Sequence, residues 1–227
     1  QQAAYNILED TLTGVVKTKI NYASKNSVST KQLFISMVNG NTISVSQICN
    51  AQSGESYNIY QKILQKRPDF SLTTEDDTAF AKQVITDGIE DGSISPRQLI
   101  LVMIEQGKIS ADEEYLGKIK NGTISPLSVI NQKLDSKELH PSDTHVDPCT
   151  GSIVVSRVDS GEVLALVTYP SYDNNELVNN FNNSYYNQLL NDPNTPLVNR
   201  PLKEKKAPGS TLKMITALAG LESGVIT

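Results

Sequence analysis

Ser210 and Lys213 stand three residues apart in Pro208-Gly209-Ser210-Thr211-Leu212-Lys213. On a helix that spacing puts both side chains on one face, within reach of each other. A serine hydroxyl is a weak nucleophile until a neighbouring base takes its proton. A lysine amine serves as that base only when burial and the positive end of a helix lower its pKa. Backbone N–H groups at the same helix start can stabilise an acyl oxygen that gains negative charge. The combination suits acyl transfer through a covalent serine ester. Alone, the pattern is weak, because Ser210 could be a plain helix cap and Lys213 a solvated first-turn residue. Of the sixteen lysines, only Lys213 has a serine three residues before it.

The elements that would hold this pair lie at the end of the chain. Ser152 to Val158 and Glu162 to Thr168 are two β-rich runs, and Asp159-Ser160-Gly161 between them supplies a tight turn. A hairpin is expected, its second run apolar on both faces and so suited to a strand covered on both sides. Asn174 to Asn199 is polar and irregular, with some helix around Tyr185 to Leu190. A helix then runs from Ser210 to about Ser223, stopped by Gly224.

The rest of the chain reads differently. Ala3, Ala4, Ile7, Leu8 and Leu12 predict an opening helix that ends at Gly14, followed by a short strand over Val15 to Ile20. From 27 to 138, short helices are separated by similar punctuation. Gly40-Asn41-Thr42-Ile43-Ser44, Gly92-Ser93-Ile94-Ser95, Gly107-Lys108-Ile109-Ser110 and Gly122-Thr123-Ile124-Ser125 each hold a glycine, an isoleucine and a serine. The glycine ends one helix in the left-handed conformation. The serine caps the next, with Gln47, Gln98 or Glu113 three residues on completing a capping box. Pro96 and Pro126 then take the first helical position, where a missing N–H costs nothing. An all-α module of short antiparallel helices is expected. A calcium-loop reading of this punctuation fails: with Gly92 at the sixth position, Ile89 and Gln98 stand where oxygen ligands belong.

Composition sets limits. Twenty basic and twenty-five acidic side chains leave a net charge of -5, with no general basic footprint for nucleic acid. A content of 38% hydrophobic and 20% charged residues permits a packed core. The longest apolar run, Leu99 to Ile104, is far shorter than the roughly 20 residues of a membrane helix. Gln1 to Tyr5 lack the basic and apolar regions of a signal peptide, so an anchor is expected outside this chain. Cys49 and Cys149 could pair or remain buried thiols. His145-x-Asp147-x-Cys149 offers three potential metal ligands on one side of a strand, although Pro148 interrupts it; a polar connector is the plainer reading.

Several blocks together resemble the penicillin-binding protein transpeptidases. They are Gly161-Glu162-Val163-Leu164-Ala165, Tyr169-Pro170-Ser171-Tyr172-Asp173, Pro196-Leu197-Val198-Asn199-Arg200-Pro201 and Pro208-Gly209-Ser210-Thr211-Leu212-Lys213, in the family's order. The Asn199-Arg200-Pro201 block is more similar to the monofunctional class B branch. Gln1 to Val16 resembles the helix and strand that begin the same domain. The resemblance implies an α+β fold: a partial transpeptidase domain over 1–26 and 139–227, with a helical insertion over 27–138. It implies a peptidoglycan D,D-transpeptidase in which Ser210 attacks a stem peptide and Lys213 takes its proton, with β-lactams acylating the same serine. It implies no cofactor, no metal, and a place on the outer face of a bacterial membrane.

The family's Ser-x-Asn and Lys-Thr/Ser-Gly elements lie after its nucleophile. Ser24-Lys25-Asn26 and Ser56-Tyr57-Asn58 match the first pattern but precede Ser210, and neither Lys-Thr-Gly nor Lys-Ser-Gly occurs. The chain therefore reads as a fragment, inactive by itself. Two other readings stand beside this one: a β-lactam sensor or serine β-lactamase relative, and a non-catalytic scaffold whose residues 27–138 bind a cell-wall or division partner.

Overall fold

The computed structural model describes residues 1–23 and 26–226; Ser24 and Lys25, part of one Ser-x-Asn match, lie outside them. Helix α1, Gln2–Asn21, is twenty residues long and passes straight through Gly14. The strand expected over Val15 to Ile20 is thus absent, and those residues are helical. Leu8, Leu12, Val16 and Ile20 are buried at four-residue spacing, a stripe that one continuous helix presents on one side. Ile7, expected on that face, is 62% exposed.

Seven helices follow: α2, Thr30–Asn39; α3, Val45–Asn50; α4, Gly54–Lys66; α5, Glu75–Asp91; α6, Pro96–Glu105; α7, Glu113–Lys120; and α8, Pro126–Asp135. The four-residue α9, Pro141–Thr144, ends the series. Five of the turns between them repeat one hydrogen bond. The N–H of Ile43, Ile94, Ile109, Ile124 and Leu139 each reaches back six residues, to the carbonyl of Met37, Gly88, Met103, Lys118 and Lys133. In each turn one residue is left-handed: Asn41, Gly92, Gly107, Gly122 and Lys137, with φ between 58° and 83°. Gly40 itself has φ -80, so Asn41 takes the role expected of that glycine.

The caps hold in part. Ser95 and Gln98 form the full capping box, and Ser44 and Ser125 accept from the N–H three residues on. Ser110 is not a cap. Asp112 accepts from Tyr115 N–H instead, and Ser110 N–H donates to Glu138. The repeat also has a fifth copy, in which His140 precedes Pro141 as N-cap of α9, with Asp143 as reciprocal partner.

Strands β1, Gly151–Ser156, and β2, Val163–Tyr169, pair antiparallel with Ile153 opposite Val167, as the hairpin reading requires. Only one face of β2 is covered. Ala165, Val167 and Tyr169 are buried, Val167 and Tyr169 in a small core with Leu8 and Leu12 of α1, whereas Leu164 is half exposed. The expectation of a strand covered on both sides fails because, among the described residues, the sheet has two strands and α1 lies on one face. A second, larger core holds Val16 and Ile20 of α1 with the apolar residues of α2 to α8. One helix therefore serves both cores, and it fixes the hairpin against the helical stack.

Candidate active site: the segment carrying Ser210 and Lys213

β2 leads the chain toward the candidate pair, and two polar clusters hold its end. In the first, Glu9 of α1 is 7% exposed. Its Oε1 lies 2.7 Å from His140 Nδ1 and accepts from Tyr169 Oη at 3.3 Å. The Lys137 ammonium stands 3.8 Å from the other Glu9 oxygen. Three elements thereby meet: α1, the turn before α9, and β2. Burial raises the Tyr169 phenol far above its ordinary value, with the Glu9 charge adding to the effect, so it remains a hydrogen-bond donor.

The second cluster centres on Arg200, which is 4% exposed. Its N–H donates to Thr168 Oγ1 at 3.1 Å, and its guanidinium donates to the carbonyls of Asn194 and Thr195 and to Thr195 Oγ1. Asn194 in turn donates to the Ser142 carbonyl of α9 at 3.2 Å. Arg200 Nε sits 3.3 Å from Glu204 Oε1 but makes no well-aligned hydrogen bond, so that contact is a charge pairing only. The loop from 192 to 199 is thus clamped to both the hairpin and α9. Between the clamps lie a short 3-10 turn, Asn174–Leu177, helix α10, Asn183–Asn191, and the four-residue α11, Arg200–Lys203. The expected helix around Tyr185 to Leu190 is α10.

Beyond Glu204 the chain leaves the body of the molecule. A 3-10 turn over Gly209–Thr211 carries Ser210, and α12, Leu212–Glu222, begins two residues later and carries Lys213. Gly209 has φ 57, the left-handed geometry that a glycine allows at such a turn. Thr211 closes the turn through its N–H and hydroxyl, both donating to the Pro208 carbonyl. Ser210 and Lys213 thus stand on either side of the joint between the 3-10 turn and α12. Ser210 caps nothing by its side chain. Both residues are exposed, and α12 buries no residue. No described element therefore covers Ser210 or Lys213.

The other candidates resolve simply. Cys49 and Cys149 are both free and buried, and burial pushes each thiol up to about 11. Cys149 Sγ instead approaches Asn194 Oδ1 at 3.6 Å. Among the described residues, no three His, Cys, Asp or Glu side chains come together as metal ligands, so His145, Asp147 and Cys149 form no such set. Ser56 of the second Ser-x-Asn match lies in α4, where its N–H and hydroxyl donate to Glu105. It is a helix-start contact within the stack. Sequence reasoning missed the Glu9 cluster, since an acid in a helix reads as solvated. It met Arg200 only as part of a recognised block.

Comparison with known proteins places this geometry. The sequence model described as "Penicillin binding protein transpeptidase domain" matches residues 151–227. Residues 151–227, about a third of the chain, are thus similar to that domain. The hairpin, the Arg200 clamp and the Ser210 turn all fall within the matched residues. The chain is similar to peptidoglycan D,D-transpeptidase MrdA of Escherichia coli K12, 44% identical over 94 residues, covering 41% of this chain and 15% of the relative. It is similar to peptidoglycan D,D-transpeptidase PbpA of Mycolicibacterium smegmatis, 41% identical over 80 residues, covering 34% and 16%. The MrdA of Salmonella typhimurium LT2 is 40% identical over 76 residues, covering 34% and 12%. The chain thus spans about a sixth or less of the length of these curated relatives. No solved structure matches it. No described helix is long and apolar enough to cross a membrane.

Proposed function

We propose that the transpeptidase segment carries the acylating residues of a peptidoglycan D,D-transpeptidase, with Ser210 as nucleophile and Lys213 as its base. The observation that carries this reading is the Ser210-x-x-Lys213 spacing at a glycine-started turn that leads into α12, inside the matched residues. In the proposed reaction, Ser210 Oγ attacks the carbonyl before the terminal D-Ala of a stem peptide, and its proton passes to the Lys213 amine. The tetrahedral oxyanion collapses, D-Ala leaves as an amine that regains the proton, and an acyl-serine remains. An amine of a neighbouring strand then attacks the ester and forms the cross-link. A β-lactam acylates the same oxygen by opening its ring, and no metal or organic cofactor takes part. The substrate places the protein outside the cytoplasmic membrane.

Residues 27–138 are read as a helical insertion between α1 and the hairpin. Support comes from the core that these helices form with Val16 and Ile20 of α1 and from their polar surface: Tyr57, at 37%, is the one exposed large hydrophobic among the described residues of 27–138.

Exposure of Lys213 gives a definite expectation. Incubated with a β-lactam, residues 1–227 should gain little or no adduct by intact mass, because no described element covers Ser210 and Lys213 to hold the ring in place. Rapid stoichiometric labelling of this chain would overturn that account. In the full-length protein the adduct should form at Ser210 and vanish in Ser210→Ala. Labelling at another serine would sink the functional reading.

A further inference from the structure

Arg200 is the last buried residue before Ser210, and every residue from Leu202 to Gly209 is exposed. The two terminal nitrogens of its guanidinium bond to Asn194 and Thr195, and Nε is left buried without an aligned acceptor. A buried donor in that state is costly, and a buried cation needs a counter-charge. Glu204 is the group that answers both needs, with Oε1 3.3 Å from Arg200 Nε. It is the only acid between Asp192 and Glu222, a stretch that holds Arg200, Lys203, Lys205, Lys206 and Lys213. Its second oxygen lies 3.4 Å from Lys206 Nζ. One carboxylate thus joins a buried cation of the body to an exposed cation of the linker.

After Glu204 the ties to the body stop. Among the described residues, no hydrogen bond or ion pair joins residues 205–226 to any residue before Glu204. The links that remain are stiff. The Pro208 ring fixes its own φ, and Thr211 closes the next turn on the Pro208 carbonyl through its N–H and hydroxyl. Only Ala207 separates the paired Lys206 from that turn, and Ser210 lies inside it. Where Glu204 holds the linker therefore decides where Ser210 stands. An exposed pair four residues apart would add little, but here one partner is 4% exposed, so losing Glu204 strands a buried charge.

We propose that Glu204 is a positioning residue for Ser210: its carboxylate pins the linker between Arg200 and Lys206 and sets the place of the nucleophile's turn against the body. The proposal rests on the reading of Ser210 as the nucleophile.

The test uses Glu204→Gln, which keeps the shape and removes the charge. In residues 1–227, 15N relaxation should give order parameters above about 0.6 at Lys205, Lys206 and Ala207, and below it in the variant. In the full-length protein, labelling is followed at rising β-lactam concentration, which separates the dissociation constant of the first complex from the acylation rate constant. Glu204→Gln should slow acylation about tenfold with that dissociation constant unchanged. Lys206→Gln, which leaves the Arg200 pair in place, should slow it less, and Lys205→Gln not at all. At about 1 M salt the parent rate should fall toward that of Glu204→Gln, because a partly exposed pair is screened. A merely structural role would lower the melting temperature and the labelled fraction, and leave the rate constant of the folded protein alone. Unchanged order parameters or an unchanged acylation rate in Glu204→Gln overturns the proposal, as does a weaker first complex at the parent rate. If Glu204→Gln does not fold, Lys206→Gln decides by the same criteria. If Ser210 of the full-length parent takes no label, the functional reading fails, and the order parameters still decide whether Glu204 holds the linker.

Discussion

His145 shows how one side chain joins distant segments. It caps α9 in the left-handed region with φ 51, and its ring fills the space beside Gly40, where a Cβ would come within 2.0 Å of it. Burial lowers its pKa, Asp192 and Asp143 work in the opposite direction, and Lys82 adds to the lowering. The folded protein thus holds the neutral ring, while the unfolded chain protonates it near the ordinary value of about 6.5. Above that pH the ring is neutral in both states and costs nothing. As pH falls below it, the unfolded chain binds the extra proton first, and stability declines toward the lower folded value. Urea midpoints between pH 7.5 and 5 should therefore fall in the parent and fall less in His145→Asn, which tolerates the same backbone. Equal slopes would remove His145 as the cause. Ser210 and Lys213 were readable as a pair from spacing. Their solvation was not, because exposure depends on which elements cover α12.

At the scale of elements, the helix starts separate local chemistry from context. Ser95 and Ser110 stand in nearly the same sequence token, yet only Ser95 accepts from the N–H three residues on. Ser95→Ala and Asp112→Ala should each cost about 1 kcal/mol, and Ser110→Ala only a few tenths. Chemical denaturation of the three variants checks this. A Ser110→Ala loss as large as the others would restore Ser110 as a cap. The reason for the difference is tertiary. Glu138 takes the Ser110 N–H, and Lys133 donates to the Ser110 carbonyl, so the α8–α9 turn holds that segment outside the helix. Helix α1 teaches the same lesson. Gly14 and the β-branched Val15, Val16 and Ile20 favour a break and a strand, but burial of Val16 and Ile20 against the stack keeps the helix intact.

The whole molecule divides by burial. Large exposed hydrophobics cluster on the hairpin and beyond it, with Met214 80%, Ile215 64% and Leu218 58% exposed on α12, while the helical stack and Val16 and Ile20 of α1 enclose one core. Hydrogen exchange should follow that division. Amides of α2, α4, α5 and α6 should exchange only on global unfolding, and those of residues 212–222 within seconds to minutes. Protection of α12 comparable to the stack would mean that it packs on the body in solution. Local chemistry was legible from the chain alone: the glycine and proline punctuation, the hairpin, the irregular Asn-rich stretch and the Ser210–Lys213 spacing each depend on neighbours within a few residues. Long-range contacts were not. The unbroken α1, the single covered face of β2, the free Cys49 and Cys149 and the Glu9 and Arg200 clusters arise where segments distant in sequence meet, or fail to meet. No local pattern encodes which of those surfaces will be buried, and burial is what sets the charge, the hydrogen bonds and the reactivity of the groups they carry.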